Sequence, residues 1–359
     1  MGSVTDEACR GAIGDLRAFQ QPGLKTLRRY IRGELPPPPI SRLLGMRATE
    51  AGIGKATFMM PVTRWLEDGF GLYWGGIYAL LADAPLAWAI WTTLPAGKSV
   101  TTAEVNLSFV RPMSRQTKHM IGRAETVHTG ARIGLSTVQI TGDDGRLLAF
   151  GSTRCLVGDV AVEPEADYPV PVTGPDDSPD PWQRPAPDDG YFSLDEVMRG
   201  VPIGLQRITI GGGKTFPVWR LSGFRPASVG EGRFEARLPA SAWFSNGSQS
   251  IYGGMLAWAA EFAMGAAVYS MLGPGDIFAT LDMHIRFTRP ARIDSGELSL
   301  IATVQHHGRQ LRIVSCEIND AAGKRIAMAT SSALVVSGGV RELGRGRLPE
   351  EILTTDNGG

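Results

Sequence analysis

Two long apolar stretches of this chain each hold a single ionisable side chain, and these two carboxyl groups are the residues best placed to do chemistry. From Gly69 to Ala96 the only charge is Asp83; from Leu238 to Gly275 it is Glu261. Removing a carboxylate from water costs several kcal/mol unless it is paired or neutralised, so an acid kept in such a stretch needs a reason. Desolvation raises its pKa, which suits a general base taking a proton from water near neutral pH. The other role open to it is structural, a satisfied acid that locks two parts of the molecule together. A glycine pair precedes each acid, Gly75-Gly76 before Asp83 and Gly253-Gly254 before Glu261. If a helix starts there, its first N–H groups lack partners within the helix and its dipole favours negative charge. Such amides form an oxyanion hole when charge grows on a carbonyl under attack.

The matching positions of acid and glycines follow from an internal repeat with a period of 178 residues. Residues 74–157 align without a gap on 252–335, and 19 of the 84 pairs are identical, against roughly six expected from average composition. Phe109-x-Arg111-Pro112 faces Phe287-x-Arg289-Pro290, Thr102 faces Thr280, and His128-x-Gly130 faces His306-x-Gly308. Residues 158–190, with eight prolines among Asp and Glu, read as a linker without regular structure. The domains are then 15–157 and 191–337, followed by a mobile tail, 338–359.

Each half opens with a short helix ending at Arg32-Gly33 or Arg199-Gly200, then a strand, Lys55 to Pro61 or Gly232 to Leu238. A helix of about eighteen residues, apolar on nearly every side and therefore enclosed, comes next. Four alternating segments follow, at 100–111, 118–128, 132–141 and 147–157, repeated at 278–289, 297–306, 310–319 and 325–336. One strand, a buried helix and four more antiparallel strands describe an α+β sheet wrapped round a central helix, present twice.

Composition narrows the partners. Lys plus Arg equals Asp plus Glu, 36 of each in 359 residues, so no net charge advertises nucleic acid or an anionic membrane. The window 69–96 is long enough for a bilayer, but its Gly-Gly pair, Pro85 and acid, and its recurrence in a repeat, fit a helix buried in protein. Cys9, Cys155 and Cys316 lie far apart, with no spacing for a disulfide frame or a metal site. No apolar run follows a basic start. The expectation is a cytoplasmic protein acting on a small molecule without a metal.

The acid and glycine pattern resembles the hotdog thioesterases of the PaaI-like kind, whose motif reads Asn-x-x-Gly-x-x-His-Gly-Gly, six residues, then Asp or Glu, with Ser or Thr on the next strand. Here it falls on Asp68, Gly71, Trp74, Gly75, Gly76, Asp83 and Thr102, and again on Asn246, Gln249, Tyr252, Gly253, Gly254, Glu261 and Thr280. The resemblance implies a double hotdog, an internal pseudo-dimer open to further homo-oligomeric assembly, that hydrolyses acyl-coenzyme A or an acyl-carrier thioester. Coenzyme A enters as part of the substrate and no other cofactor is implied. The family builds each site across two units, so Asp83 and Thr102 should meet Asn246 and Gly253, with Gly254 beside them. Glu261 and Thr280 should meet Asp68 and Gly75, placing two acids together. The first combination, with Asp83 as base or nucleophile, is the expected working site. The family His is replaced by Trp74 and Tyr252, which would narrow the substrate pocket.

A second carboxylate is Asp282, in Thr280-Leu281-Asp282-Met283-His284, which resembles the catalytic-strand acid of TesB-type double hotdogs; its counterpart is Glu104. Alternation would put Thr280, Asp282 and His284 on one face. Arg111 and Arg289 are candidates for coenzyme phosphates, while His128 and His306 read as turn residues. Gly211-Gly212-Gly213-Lys214-Thr215 lacks the opening glycine of a phosphate loop, which excludes that site. Two other functions stay open: a hotdog dehydratase or hydratase, disfavoured because neither core helix carries a His, and a catalytically weak acyl-CoA-binding scaffold.

Overall fold

The computed structural model describes residues 2–114, 116–170, 172–174 and 178–344. Twelve strands form one continuous antiparallel sheet: β1 (Arg47–Gly52), β2 (Lys55–Pro61), β3 (Lys98–Phe109), β4 (His119–Thr129), β5 (Ile133–Gly142) and β6 (Leu147–Asp159) from the first half, then β7 (Arg225–Gly230), β8 (Arg233–Pro239), β9 (Ile277–Phe287), β10 (Glu297–His307), β11 (Leu311–Asn319) and β12 (Arg325–Val336) from the second. Their order is β1-β2-β4-β5-β6-β3-β9-β12-β11-β10-β8-β7, so each half is a copy of the other and the two join edge to edge through β3 and β9. Two core helices, Gly76–Trp91 and Gly253–Tyr269, lie in the concave face and pack against each other. This is the tandem hotdog architecture.

The core helices form without a side-chain N-cap from their own flanking residue; burial of their apolar surface stabilises them. From Gly254 to Tyr269 every residue is buried, as an all-round apolar helix requires. Their C-terminal ends are hooked in the same way in both halves. Thr92 donates to Ala89 and accepts from the Gly54 amide at the β1–β2 turn, and Ser270 donates to Ala267 and accepts from Gly232 at the β7–β8 turn.

Three expectations need correction. Each half has six strands, because β1 and β7 precede the strands read from the sequence. Neither strand has a buried residue or an apolar alternation that would mark it in the sequence. The proline-rich linker is tied down in places: Val172–Thr173 pairs with Gly11–Ala12, Pro181–Gln183 forms a 3-10 turn, and Asp180 accepts from Arg10 at 2.8 Å. The start of the expected tail, Gly339–Gly344, is a short helix that buries Val340; the rest of the tail, 345–359, lies outside the described residues.

Candidate active site

Each helix acid lies at the seam between the halves, bonded to a threonine of its own half and facing the glycine pair of the other. Thr102 Oγ1 donates to Asp83 Oδ1 at 2.7 Å, and the Gly254 amide donates to Asp83 Oδ2 at 3.0 Å. Thr280 Oγ1 donates to Glu261 Oε1 at 2.7 Å. Glu261 Oε2 lies against Gly76 yet is buried without a hydrogen-bond partner; the Gly76 amide is near enough to favour the charged form but falls short of bonding geometry.

The glycines are required by this close approach. A Cβ on Gly253 would sit 2.8 Å from Asp83 Oδ2, and one on Gly76 would sit 2.9 Å from Glu261 Oε2 and 3.1 Å from the Trp258 carbonyl. Gly75 packs on Phe109 in the same way, and Gly254 on the Ala79 carbonyl.

A β-bulge aims each threonine. The register of β3 against β6 shifts between Thr102 and Glu104, and that of β9 against β12 shifts between Thr280 and Asp282. One extra residue reverses which face the following side chains occupy. Thr280 therefore points inward to Glu261, whereas Asp282 and His284 point outward, opposite the buried Met283 and Ile285. This overturns the expectation that Thr280, Asp282 and His284 share a face. Asp282 instead bonds Ser332 and lines a surface groove of 270 Å³ with His284 and Asn106. Its counterpart Glu104 is ringed by Arg154, His284 and Arg286.

Burial dominates the electrostatics. Asp83 is raised above the usual carboxylate range by desolvation, against the pull of Thr102, Gly254 and Gly253. Glu261 is pushed up to about 7 by desolvation, with no charged group contributing. Asp68 also rises to about 7 through burial, held down in part by the amides of Leu72 and Phe70, which donate to its Oδ1 at 2.8 Å each. Asp68 thus organises its own loop, and its charge is felt by Tyr269 and not by Glu261. The two acids are not brought together.

Asn246 does not join Asp83 either. It is exposed, and its Oδ1 accepts from the backbone and hydroxyl of Ser248. Arg111 and Arg289 tie the ends of β3 and β9 to the β5–β6 and β11–β12 hairpins: Arg111 donates to the Leu147 carbonyl, and Arg289 donates to the Arg325 carbonyl and pairs with Asp320 at 3.0 Å. Lys214 donates to the Tyr191 carbonyl and pairs with Glu196.

The two aromatics at the family His position have separate fates. Tyr252 is buried, and its hydroxyl accepts from the Ala84 amide at 2.8 Å while donating to the Leu80 carbonyl at 3.0 Å. A regular helix would join those two groups directly. Pro85 follows, with no N–H and a ring that crowds the preceding turn, so the Tyr252 hydroxyl bridges a weak point of the partner helix. Trp74 is only half-buried, stacks on Phe262 at 4.4 Å and meets Phe278 edge-on at 5.4 Å. It borders a cleft lined by Phe70, Phe192, Gln206, Phe262 and Tyr269, with about 30 Å³ free. The reading from sequence missed this cleft and the Tyr252 bridge; Pro85 inside an apolar helix was the one available signal.

Comparison with known proteins follows the same lines. A family model described as the thioesterase superfamily matches residues 70–149 and 249–327, one segment in each half. A Mycobacterium tuberculosis (strain CDC 1551 / Oshkosh) protein that carries an esterase name is 32% identical over 119 residues, covering 32% of this chain and 84% of that one. Among solved structures, one from Novosphingobium aromaticivorans DSM 12444 described as a thioesterase aligns with TM-score 0.50 at 19% identity, over 78% of this chain and 95% of the other. A Mycobacterium avium tesB protein aligns with TM-score 0.50 at 12% identity, over 83% and 97%. The structural likenesses show the shared fold. With two glycine-facing acids repeated at one seam and a relative matched over most of its length, the chain belongs to the thioesterase superfamily.

Proposed function

We propose that this protein hydrolyses acyl-coenzyme A, or an acyl thioester of similar build, to free acid and thiol. The observation that carries the reading is the buried carboxylate, bonded to a strand threonine and set against the amide-rich start of the opposite core helix. These are the groups that water attack on an activated acyl carbon needs. The carboxylate takes a proton from water as the oxygen bonds to the carbonyl carbon. The oxyanion that forms is held by a helix-terminal glycine N–H, and the threonine hydroxyl holds the carboxylate in place. Collapse breaks the C–S bond, and the carboxyl returns its proton to the departing thiolate. In place of coenzyme A the carrier could equally be an acyl carrier protein, since both present the same thioester. Among the described residues no helix is long and apolar enough to cross a membrane, and a cytoplasmic setting suits such substrates.

The test is thiol release from a panel of acyl-CoA esters of increasing chain length. Turnover that saturates with substrate supports the reading; absence of thiol release from every ester sinks it.

A further inference from the structure

Resting on the thioesterase reading, we propose that the two copies have divided their roles. Glu261, Thr280 and the Gly75–Gly76 helix start form the working site, with the acyl group entering the cleft beside Trp74. The Asp83 pairing is a closed structural joint held by Tyr252. This reverses the choice of Asp83 made from sequence.

The first ground is bonding capacity. Both Asp83 oxygens are engaged, one by Thr102 and one by the Gly254 amide, so neither that amide nor the carboxylate is open to a substrate without breaking an existing bond. Glu261 keeps one oxygen, Oε2, buried and unpartnered, directly against Gly76. Leaving a buried acceptor without a partner costs stability, and such groups in a native fold call for a role. A water taken up there would meet the carboxylate and the Gly76 amide together.

The second ground is space. Tyr252 cannot swing away without breaking two buried hydrogen bonds and exposing the turn before Pro85. Behind Thr102 the neighbouring strand carries Cys155, whereas behind Thr280 it carries the smaller Ala333. On the Glu261 side, Trp74 reaches over Gly265, where a Cβ would meet its ring at 2.6 Å. Next to it lies the aromatic cleft. The cleft also holds a built polar group: Gln206 is 8% exposed, its Nε2 donates to the Ala266 carbonyl at 2.7 Å, and its Oε1 is buried without a partner. Its 30 Å³ of free volume is roughly a tenth of an ordinary ligand pocket, so the half-buried Trp74 must move to admit an acyl group.

The experiment measures thiol release across the acyl-CoA panel for the parent, Glu261→Gln, Tyr252→Phe and Trp74→Ala, with a thermal midpoint for each. Expected results are a loss of at least about a hundredfold in kcat for Glu261→Gln; a lower thermal midpoint but kcat/KM within about threefold for Tyr252→Phe; and a KM lowered about tenfold or more for bulkier acyl groups in Trp74→Ala. If Glu261→Gln fails to fold, Thr280→Val takes its place, with an expected loss of about tenfold. Parent turnover that persists above a tenth in Glu261→Gln, or that vanishes in a folded Tyr252→Phe, overturns the division while leaving the thioesterase reading intact. A parent that releases no thiol from any ester overturns both.

Discussion

The start of the first core helix, at Gly75–Gly76, and that of the second, at Gly253–Gly254, descend from one repeat, yet they differ in how completely their polar groups are satisfied. At the second start the Gly254 amide, Asp83, Thr102 and the Tyr252 hydroxyl form a closed set of bonds that clamps one helix to the other. At the first start the ring beside the glycines stacks on Phe262 and leaves Glu261 half unpartnered. A joint gains stability from closure, whereas a reactive site needs groups left ready for a substrate, at a cost in stability. A duplicated fold can place these opposed demands in different copies.

The largest effect should come from opening the closed joint. Asp83→Ala strands the Gly254 amide, frees Thr102 and leaves a void, for a loss of about 4 kcal/mol of stability. Glu261→Gln should be neutral or stabilising, because an amide oxygen can still accept from Thr280 without burying a charge. Urea unfolding of the two variants side by side decides this, and equal losses would break the contrast.

Next in size is the response to pH. Glu261 has a folded pKa of about 7 against an ordinary 4.5, so the folded state holds its proton more tightly than the unfolded one. Its favourable contribution is complete below about 4.5 and is lost as pH rises to about 7, a difference of about 3 kcal/mol by linkage. Asp68 and Asp83 are shifted in the same direction, so the parent alone cannot isolate the effect. The gap between Glu261→Gln and the parent should widen in the variant's favour from pH 5 to pH 8. With Glu261 as the proposed base, kcat should rise through pH about 7, the carboxylate being the form that takes a proton; a flat profile from pH 6 to 8 would count against that role.

How much of this was open to a reader of the sequence depends on the range of the interaction involved. The repeat, the core helices and strands such as Lys55–Pro61 are set by local periodicity, and they emerge within a few residues of their observed ends. The partnership of Asp83 with Thr102 and the opposite glycines also emerges, because spacing and resemblance carry it. What stays hidden is register and long-range packing. No local signal marks the bulge after Thr102 or Thr280, although that one residue decides that Asp282 faces outward. Asn246 fits the motif by spacing alone, yet its loop is closed by a local bond to Ser248. The Tyr252 hydroxyl finds its partners 168 and 172 residues away.

The bridge gives a smaller and more specific prediction. Tyr252→Phe removes one acceptor and one donor at Ala84 and Leu80, whose own groups can partly rejoin, so the stability loss should be about 2 kcal/mol. Placing Ala at Pro85 restores an N–H to the ladder and relieves the crowding, and it should recover part of that loss. A double-mutant cycle in urea reads the coupling between the two positions; additive effects would mean that the hydroxyl does not serve the proline turn.

The smallest expected effect separates the two halves from the coenzyme's phosphates. Arg111 and Arg289 make the same hairpin bond in each copy, but among the described residues only Arg289 adds a carboxylate partner, Asp320. That pair is partly exposed and is worth about 0.2–1 kcal/mol. Arg289→Ala should therefore lower stability slightly more than Arg111→Ala, and neither should change KM for an acyl-CoA relative to the matching acyl-pantetheine, which lacks the nucleotide phosphates. A KM that rises only for the coenzyme A ester would return one of these arginines to the substrate and make the hairpin bond secondary.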